Sequence, residues 1–159
     1  MSKKDEKTNV MRVLEQKQIE FESFIYDPSE TNAVNIAKAL GEDPASVFKT
    51  LVTVGKSKEH YVFMIPSNEE LDLKKAAMAT GEKSIEMIPQ KELLPLTGYI
   101  HGGCSPIGMK KQFDTFIDET AILFDRICFS GGRVGFQVRV RLDDLKSVVD
   151  VKEFDLVKS

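Results

Sequence analysis

The run of residues 134–142 constrains this chain most: Val134, Phe136, Val138, Val140 and Leu142 alternate with Gly135, Gln137, Arg139 and Arg141. Side chains of an extended segment point to opposite faces with a period of two, so this run reads as a strand with one face committed to a core. Residues 47–54 alternate in the same way, and Gly55-Lys56-Ser57-Lys58 turns the chain into a second strand over 61–65, forming a hairpin. Ile19, Phe21, Ser23 and Ile25 suggest another strand, and residues 84–88 a short one.

Helical signals lie between these strands. Thr8 or Asn9 can cap a helix carrying Val10, Val13 and Leu14, with Lys17 on the same side. After a turn rich in Asp27, Pro28 and Ser29, Thr31 or Asn32 opens a second helix through Ala37 and Leu40, with Gly41 in the place of a left-handed C-terminal residue. Asn68 is expected to cap a helix over 69–80 ended by Gly81, residues 89–94 form a helical turn, and Asp143 starts a last helix with Leu145, Val148 and Val149 inward. Strands outnumber helices and interleave irregularly, which favours an α+β domain around a mixed, strongly curved sheet over a regular doubly wound one.

The chain has 159 residues, 42% of them hydrophobic and 30% charged, enough for one domain with a sizeable core and a charged surface. A flexible tail is expected over residues 1–8 and a single domain over 9–159. No apolar run approaches the roughly 18 to 20 residues of a membrane helix, and Met-Ser-Lys-Lys-Asp-Glu-Lys lacks the apolar core of a secretory signal, so the expected place is the cytoplasm. Cys104 and Cys128 are the two cysteines, 24 positions apart, and in a chain without an export signal they are expected to be reduced thiols. His60 and His101, 41 positions apart, give no metal-ligand spacing, so no metal is expected. Twenty-two Lys and Arg against 25 Asp and Glu leave a net charge of −3, which excludes a protein that coats nucleic acid by charge alone.

Three segments carry more detail than connection requires. Residues 98–108 hold four glycines and Pro106, a composition suited either to an ordinary turn or to a loop that turns amide N–H groups into a pocket. Ser130-Gly131-Gly132-Arg133 leads into the strongest strand as a Gly-Gly hairpin or a second pocket edge. Lys49, which shares a strand face with Val47, Leu51 and Thr53, is either an edge-strand lysine that discourages aggregation or a cation directed at a phosphate or carboxyl oxygen.

Val47-Phe48-Lys49-Thr50-Leu51, Leu71-Asp72-Leu73-Lys74-Lys75, Thr97-Gly98-Tyr99, Gly102-Gly103-Cys104-Ser105-Pro106-Ile107-Gly108-Met109-Lys110-Lys111 and Ser130-Gly131-Gly132-Arg133 occur in the order seen in the YbaK/EbsC family. Over roughly residues 9–155 the chain resembles the Cys-tRNA(Pro) deacylases of that family, relatives of the editing domain of bacterial prolyl-tRNA synthetases. The resemblance implies a closed or nearly closed six-stranded, barrel-like mixed sheet with surrounding helices. It also implies a cofactor-free cytoplasmic enzyme that takes the 3′ end of a mischarged tRNA and works beside prolyl-tRNA synthetase. Lys49 then matches the family's essential lysine, which holds the 3′-terminal nucleotide, and Gly102 the glycine whose backbone positions the aminoacyl ester. Tyr26, Thr50, Gly103, Ser105, Ser130 and Gly131 fall at substrate-binding positions. Ala33 stands where the best-known members carry an aromatic and Gln137 where they carry an aspartate, which leaves amino-acid selectivity open.

No Ser-His-Asp arrangement or acid-base carboxylate pair can be identified in the chain. The family's chemistry, in which the substrate cysteine's own thiol attacks the ester, needs neither. Against it stand Cys104 as a protein nucleophile, read here instead as a small apolar residue, and a non-catalytic tRNA-binding or regulatory module. A deacylase for another small amino acid is the remaining alternative. Lys110, Lys111, Arg133, Arg139 and Arg141 are expected to form a limited basic rim.

Overall fold

The computed structural model describes residues 6–159. Thr8, itself buried, accepts a hydrogen bond from the Met11 amide and starts helix α1 (Asn9–Gln16), which buries Val10, Met11 and Leu14. Residues 1–5 of the expected tail lie outside the described residues; Glu6 is paired with Arg133 and Lys7 with Glu15. Strand β1 (Glu22–Ile25) is shorter than the alternation at 19–25 suggests, because Gln18 takes a positive φ of 59° and the Ile19 amide still bonds to Leu14. Helix α2 (Ala33–Ala39) is capped by Asn32 and followed by Gly41 at φ 73°, as its sequence signals require.

The hairpin forms as β2 (Phe48–Gly55) and β3 (His60–Pro66), paired antiparallel with Lys49 opposite Ile65 and Thr53 opposite Tyr61. Helix α3 (Leu73–Thr80) begins four residues later than Asn68 would allow. Leu71 is bridged to Val157 and the Asp72 amide bonds to Leu156, so the chain stays extended until the Asp72 carboxyl accepts from the Lys74 and Lys75 amides. Strand β4 (Ile85–Met87), a single 3₁₀ turn at Gln90–Glu92 and helix α4 (Leu93–Thr97) follow. The glycine loop then leads into β5 (Asp114–Asp118), β6 (Arg126–Ser130), β7 (Phe136–Arg141), α5 (Leu142–Val148) and β8 (Val151–Phe154). Leu142, expected at the end of a strand, opens α5 instead.

The α+β class holds, but among the described residues eight strands form two sheets of unequal size rather than the expected strongly curved, closed or nearly closed six-stranded, barrel-like sheet. One is antiparallel, in the order β1-β7-β6; the other runs β4-β2-β3-β5-β8, with β3, β5 and β8 mutually parallel. Among the described residues they are linked by one parallel backbone bridge, Val47 to Cys128. Closure fails because β2 does not pair with β6 beyond that bridge, while β4 takes the same edge from Thr53 onward.

The largest core joins the inner faces of both sheets, bringing Val138, Val140 and Phe129 against Phe48, Val62 and Ile117. The opposite face of the five-stranded sheet packs Phe63, Ile65 and Phe116 beneath α3 and Leu156. Ala37 of α2, Val47 and Cys128 form a third, small cluster at the seam. No described helix is long and apolar enough to cross a membrane.

Asp118, 1% exposed, ties the end of β5 to the C-terminal segment: its carboxyl accepts from the Leu156 amide at 2.9 Å and from the amide and hydroxyl of Thr120 at 3.2 and 2.6 Å. Asp118→Ala would leave the buried Leu156 amide and the part-buried Thr120 donors without these partners. We expect it to lower the unfolding free energy by about 2 to 3 kcal/mol in urea titrations, against a change near zero for the exposed Asp143→Ala.

Candidate active site

A cavity of about 340 Å³ opens where the two sheets separate. Its position follows from the pairing of β2. Odd-numbered residues exchange bonds with β3, as the Ser67 amide to Val47 carbonyl and Gly55 amide to Glu59 carbonyl bonds at its two ends require. Thr50 therefore directs its own N–H and C=O to the opposite edge. That edge has no partner strand between the Val47 bridge and the Ile88 amide, which bonds to Val52. The sheet is left open there, and the opening is the cavity.

One wall is β2 itself, with Lys49 and Thr50 at its centre. A second comes from the three-stranded sheet and α2: Tyr26, Ser130 and Gln137, with Thr31, Ala33 and Ile36 above them. The third is supplied by the stretch from Met87 to Leu93 and by His101, Gly102 and Cys104 of the glycine loop.

Lys49 reaches the Ser67 carbonyl with its Nζ at 3.4 Å. Partial burial pulls its pKa below the usual lysine range, and the nearby carboxylates of Glu70 and Glu69 act in the opposite direction. Two buried polar atoms of residues that line the cavity lack a hydrogen-bond partner among the described residues: Oγ1 of Thr50 and Oε1 of Gln137. Gln137 sits opposite Ser130 in the β6–β7 ladder, and the Ser130 hydroxyl accepts from the Gly132 amide at 3.1 Å.

The two glycine-rich segments brace each other. A Cβ on Gly103 would stand 3.0 Å from the Val134 backbone nitrogen, so glycine there lets the loop at 98–108 lie against the 130–135 turn without pushing that backbone away. Gly102 takes a φ of 88°, a left-handed conformation, at the cavity mouth. The Tyr99 hydroxyl donates to the Ile107 carbonyl and Ser105 Oγ accepts from the Ile107 amide, which fixes the loop from behind. Cys104 is 8% exposed, and burial pushes its thiol up to about 12. The Cys128 thiol lies at about 12 also, chiefly through burial and then through the charge of Glu42.

Of the residues singled out from sequence, Tyr26, Lys49, Thr50, Gly102 and Ser130 line the cavity, as do Ala33 and Gln137. Gly103, Ser105 and Gly131 do not line it; they pack behind it, Ser105 fully buried and Gly131 closely against Phe136. The stretch from Met87 to Leu93 forms the short strand and helical turn expected there, but its place as a cavity wall was missed, since none of its residues carries a motif or charge that points to a site. The expected basic rim is corrected in part. Arg139 is held by Glu22 and Glu42, Arg133 by Glu6, and Arg141 lies 3.5 Å from Asp125. These partners are distant in sequence, so their neutralising effect could not be read from spacing. Among the described residues no three His, Cys, Asp or Glu gather as a metal-binding group.

Fold and site together define an α+β domain with a small cleft lined by a lysine, by glycine-rich loops and by two residues with unpartnered polar groups. The aminoacyl-tRNA editing domain model matches residues 27–148, and the chain belongs to that family. It is 43% identical over 150 residues to EbsC of Enterococcus faecalis, a candidate Cys-tRNA(Pro)/Cys-tRNA(Cys) deacylase, covering 93% of this chain and 92% of that one. It is 28% identical over 109 residues to the proline–tRNA ligase of Shouchella clausii, a match that spans 69% of this chain and 19% of the ligase. The crystal structure of a candidate trans-editing enzyme for prolyl-tRNA synthetase superposes with a TM-score of 0.83 at 24% identity, covering 94% of this chain and 95% of that one, and so shares the fold.

The raised thiols have a measurable consequence. With both pKa values at about 12, the reactive thiolate is scarce at pH 7.5, so a thiol reagent should label neither Cys104 nor Cys128 in the folded protein and both after unfolding. A thiol whose folded pKa exceeds its unfolded one favours the folded state below the unfolded pKa. That preference is lost as pH rises from about 9 to about 12, so the urea midpoint should fall across this window and fall less in Cys128→Ala. A flat midpoint, or rapid labelling of the folded protein at pH 7.5, would contradict this.

Proposed function

We propose that this chain is a trans-editing aminoacyl-tRNA deacylase that releases cysteine from mischarged Cys-tRNA(Pro) in the cytoplasm. The observation that carries the reading is the cleft at the sheet seam, lined by both Lys49 and Gly102, in a chain 43% identical to EbsC. Lys49 binds the terminal nucleotide of the acceptor end, where a partly desolvated ammonium gains most from a phosphate or ribose oxygen. Gly102 presents its backbone to the ester, and Tyr26, Thr50 and Ser130 shape the space for the aminoacyl group. Gly103, Ser105 and Gly131 act from behind by holding the two loops against each other.

The substrate's own thiol is the nucleophile. Its sulfur bonds to the ester carbonyl carbon, the carbon–oxygen bond to the tRNA 3′ end breaks, and the thiol proton passes to the departing oxygen, leaving free tRNA and a small cyclic thioester. The protein contributes orientation and fixed dipoles rather than a covalent residue, and needs no cofactor. A Cys104 thiol held near 12 is poorly suited to attack.

With a net charge of −3 and three of the five rim cations paired to carboxylates, the domain attracts tRNA weakly, and prolyl-tRNA synthetase is the partner that retains it.

The direct test is release of amino acid from a panel of aminoacyl-tRNAs. We expect turnover of Cys-tRNA, slow release from Ser-tRNA, and retention of activity in Cys104→Ala. Lys49→Ala should lose about ten- to a hundredfold in kcat/KM with its fold intact, the loss of a charge-assisted hydrogen bond in the transition state. Normal turnover by a folded Lys49→Ala protein rejects the role of Lys49. Discrimination of Cys-tRNA(Pro) from Cys-tRNA(Cys) should appear when prolyl-tRNA synthetase is added; strong discrimination without it rejects the partnership.

A further inference from the structure

The deacylase reading leaves two atoms unexplained. Gln137 is 6% exposed and its Oε1 has no donor; Thr50 lines the same cavity and its buried Oγ1 has no partner either. A buried amide oxygen without a hydrogen bond is costly, and both residues line the same cavity, so a partner is sought in an occupant toward which these side chains turn. An occupant that satisfies an amide oxygen must bring an N–H or O–H donor.

The charges around the cavity narrow the choice. Its titratable lining groups are Lys49, Tyr26, His101 and Cys104, and no Asp or Glu is among them. The carboxylates closest in effect, Glu69 and Glu70, act on Lys49 from outside the lining. A second positive charge entering this space would meet Lys49 with no carboxylate in the wall to offset it. A neutral donor is favoured over a cationic one.

Building on the deacylase reading, we propose that Gln137 and Thr50 form the α-amino subsite: Gln137 Oε1 and Thr50 Oγ1 accept hydrogen bonds from the α-amino group of the aminoacyl ester, which binds as the neutral amine. An aminoacyl group oriented this way has its side chain and its ester carbonyl held in a fixed relation. Selection then acts on the presence of a free α-amine as well as on side-chain size. An N-blocked or desamino acyl group loses the donors that satisfy the two oxygens.

The test uses binding of hydrolysis-resistant probes by calorimetry, independent of turnover. The first is adenosine carrying a 3′-amide-linked cysteine, and the second its 3-mercaptopropanoyl counterpart, identical except for the α-amine. The wild-type protein should bind the first about three- to tenfold more tightly. This preference should grow as pH rises through the ordinary α-amino range near about 8. In Gln137→Met it should disappear through weaker binding of the first probe, with the second unchanged. In the nearly isosteric Gln137→Glu, whose carboxylate can hold an ammonium, it should be present already at pH 6.

Equal affinity for the two probes, absence of binding by either, or equal weakening of both in Gln137→Met would overturn the subsite. A wild-type preference that grows as pH falls would overturn the neutral-amine assignment. The deacylase reading is separable: a clear preference in a protein that releases no amino acid from charged tRNA removes the activity and keeps the subsite, while turnover without preference does the reverse.

Discussion

The open edge of β2 is the constraint on which the rest of the molecule depends. A strand edge with unpaired N–H and C=O groups invites another strand, and most sheets close, cover or blunt it. Here the Val47–Cys128 bridge occupies the edge at one end and β4 at the other, which leaves residues 48–51 between them free of a partner strand. The two sheets cannot merge into one barrel, and the space that results is bounded by backbone that still has hydrogen-bonding capacity. A pocket built this way has polar backbone in its floor, and Lys49 is the one lysine or arginine among its lining residues.

The glycine loops answer the same constraint from the other side. Something must roof the gap, yet a roof of ordinary residues would hold the chain too far away. Gly103 against Val134 and Gly131 against Phe136 allow backbone to pack on backbone, and the Tyr99–Ile107 and Ser105–Ile107 bonds stop the loop from collapsing inward. Residues that seem from sequence to face a substrate thus divide into those on the wall and those that permit the wall to exist. Ser105 belongs to the second group, and removing its hydroxyl would loosen the loop rather than remove a contact to substrate.

Much of this was readable in the sequence where the signal is local. The β2–β3 hairpin, the faces of β7, the Asn32 cap of α2 and Gly81 after α3 all follow from periodicity and terminal residues within a few positions. Lys49, Thr50, Tyr26, Gly102 and Ser130 were found through motif resemblance, and periodicity alone left Lys49 between two readings. What was missed is nonlocal. β5 and β8 are short and parallel, joined to partners across long crossovers, so no turn announces them. α3 starts late because Leu156 and Val157 hold the preceding residues extended. The arginines of the supposed rim are satisfied by Glu22, Glu42, Glu6 and Asp125, through pairings that depend on which strands become neighbours.

The contacts of residues 151–158 carry a kinetic consequence. β8 completes the five-stranded sheet, the Leu156 amide satisfies Asp118, the Asp72 amide satisfies Leu156, and Lys158 pairs with Glu70. The cluster under α3 therefore stays unsealed until this segment arrives, however early the β2–β3 hairpin forms. During synthesis the hairpin and the antiparallel sheet can assemble while the chain is still growing, but the outer layer must wait for residues far downstream. Such long-range closure slows folding. Sealing of this layer is thereby tied to contacts that span much of the chain, from Asp72 and Asp118 to Leu156.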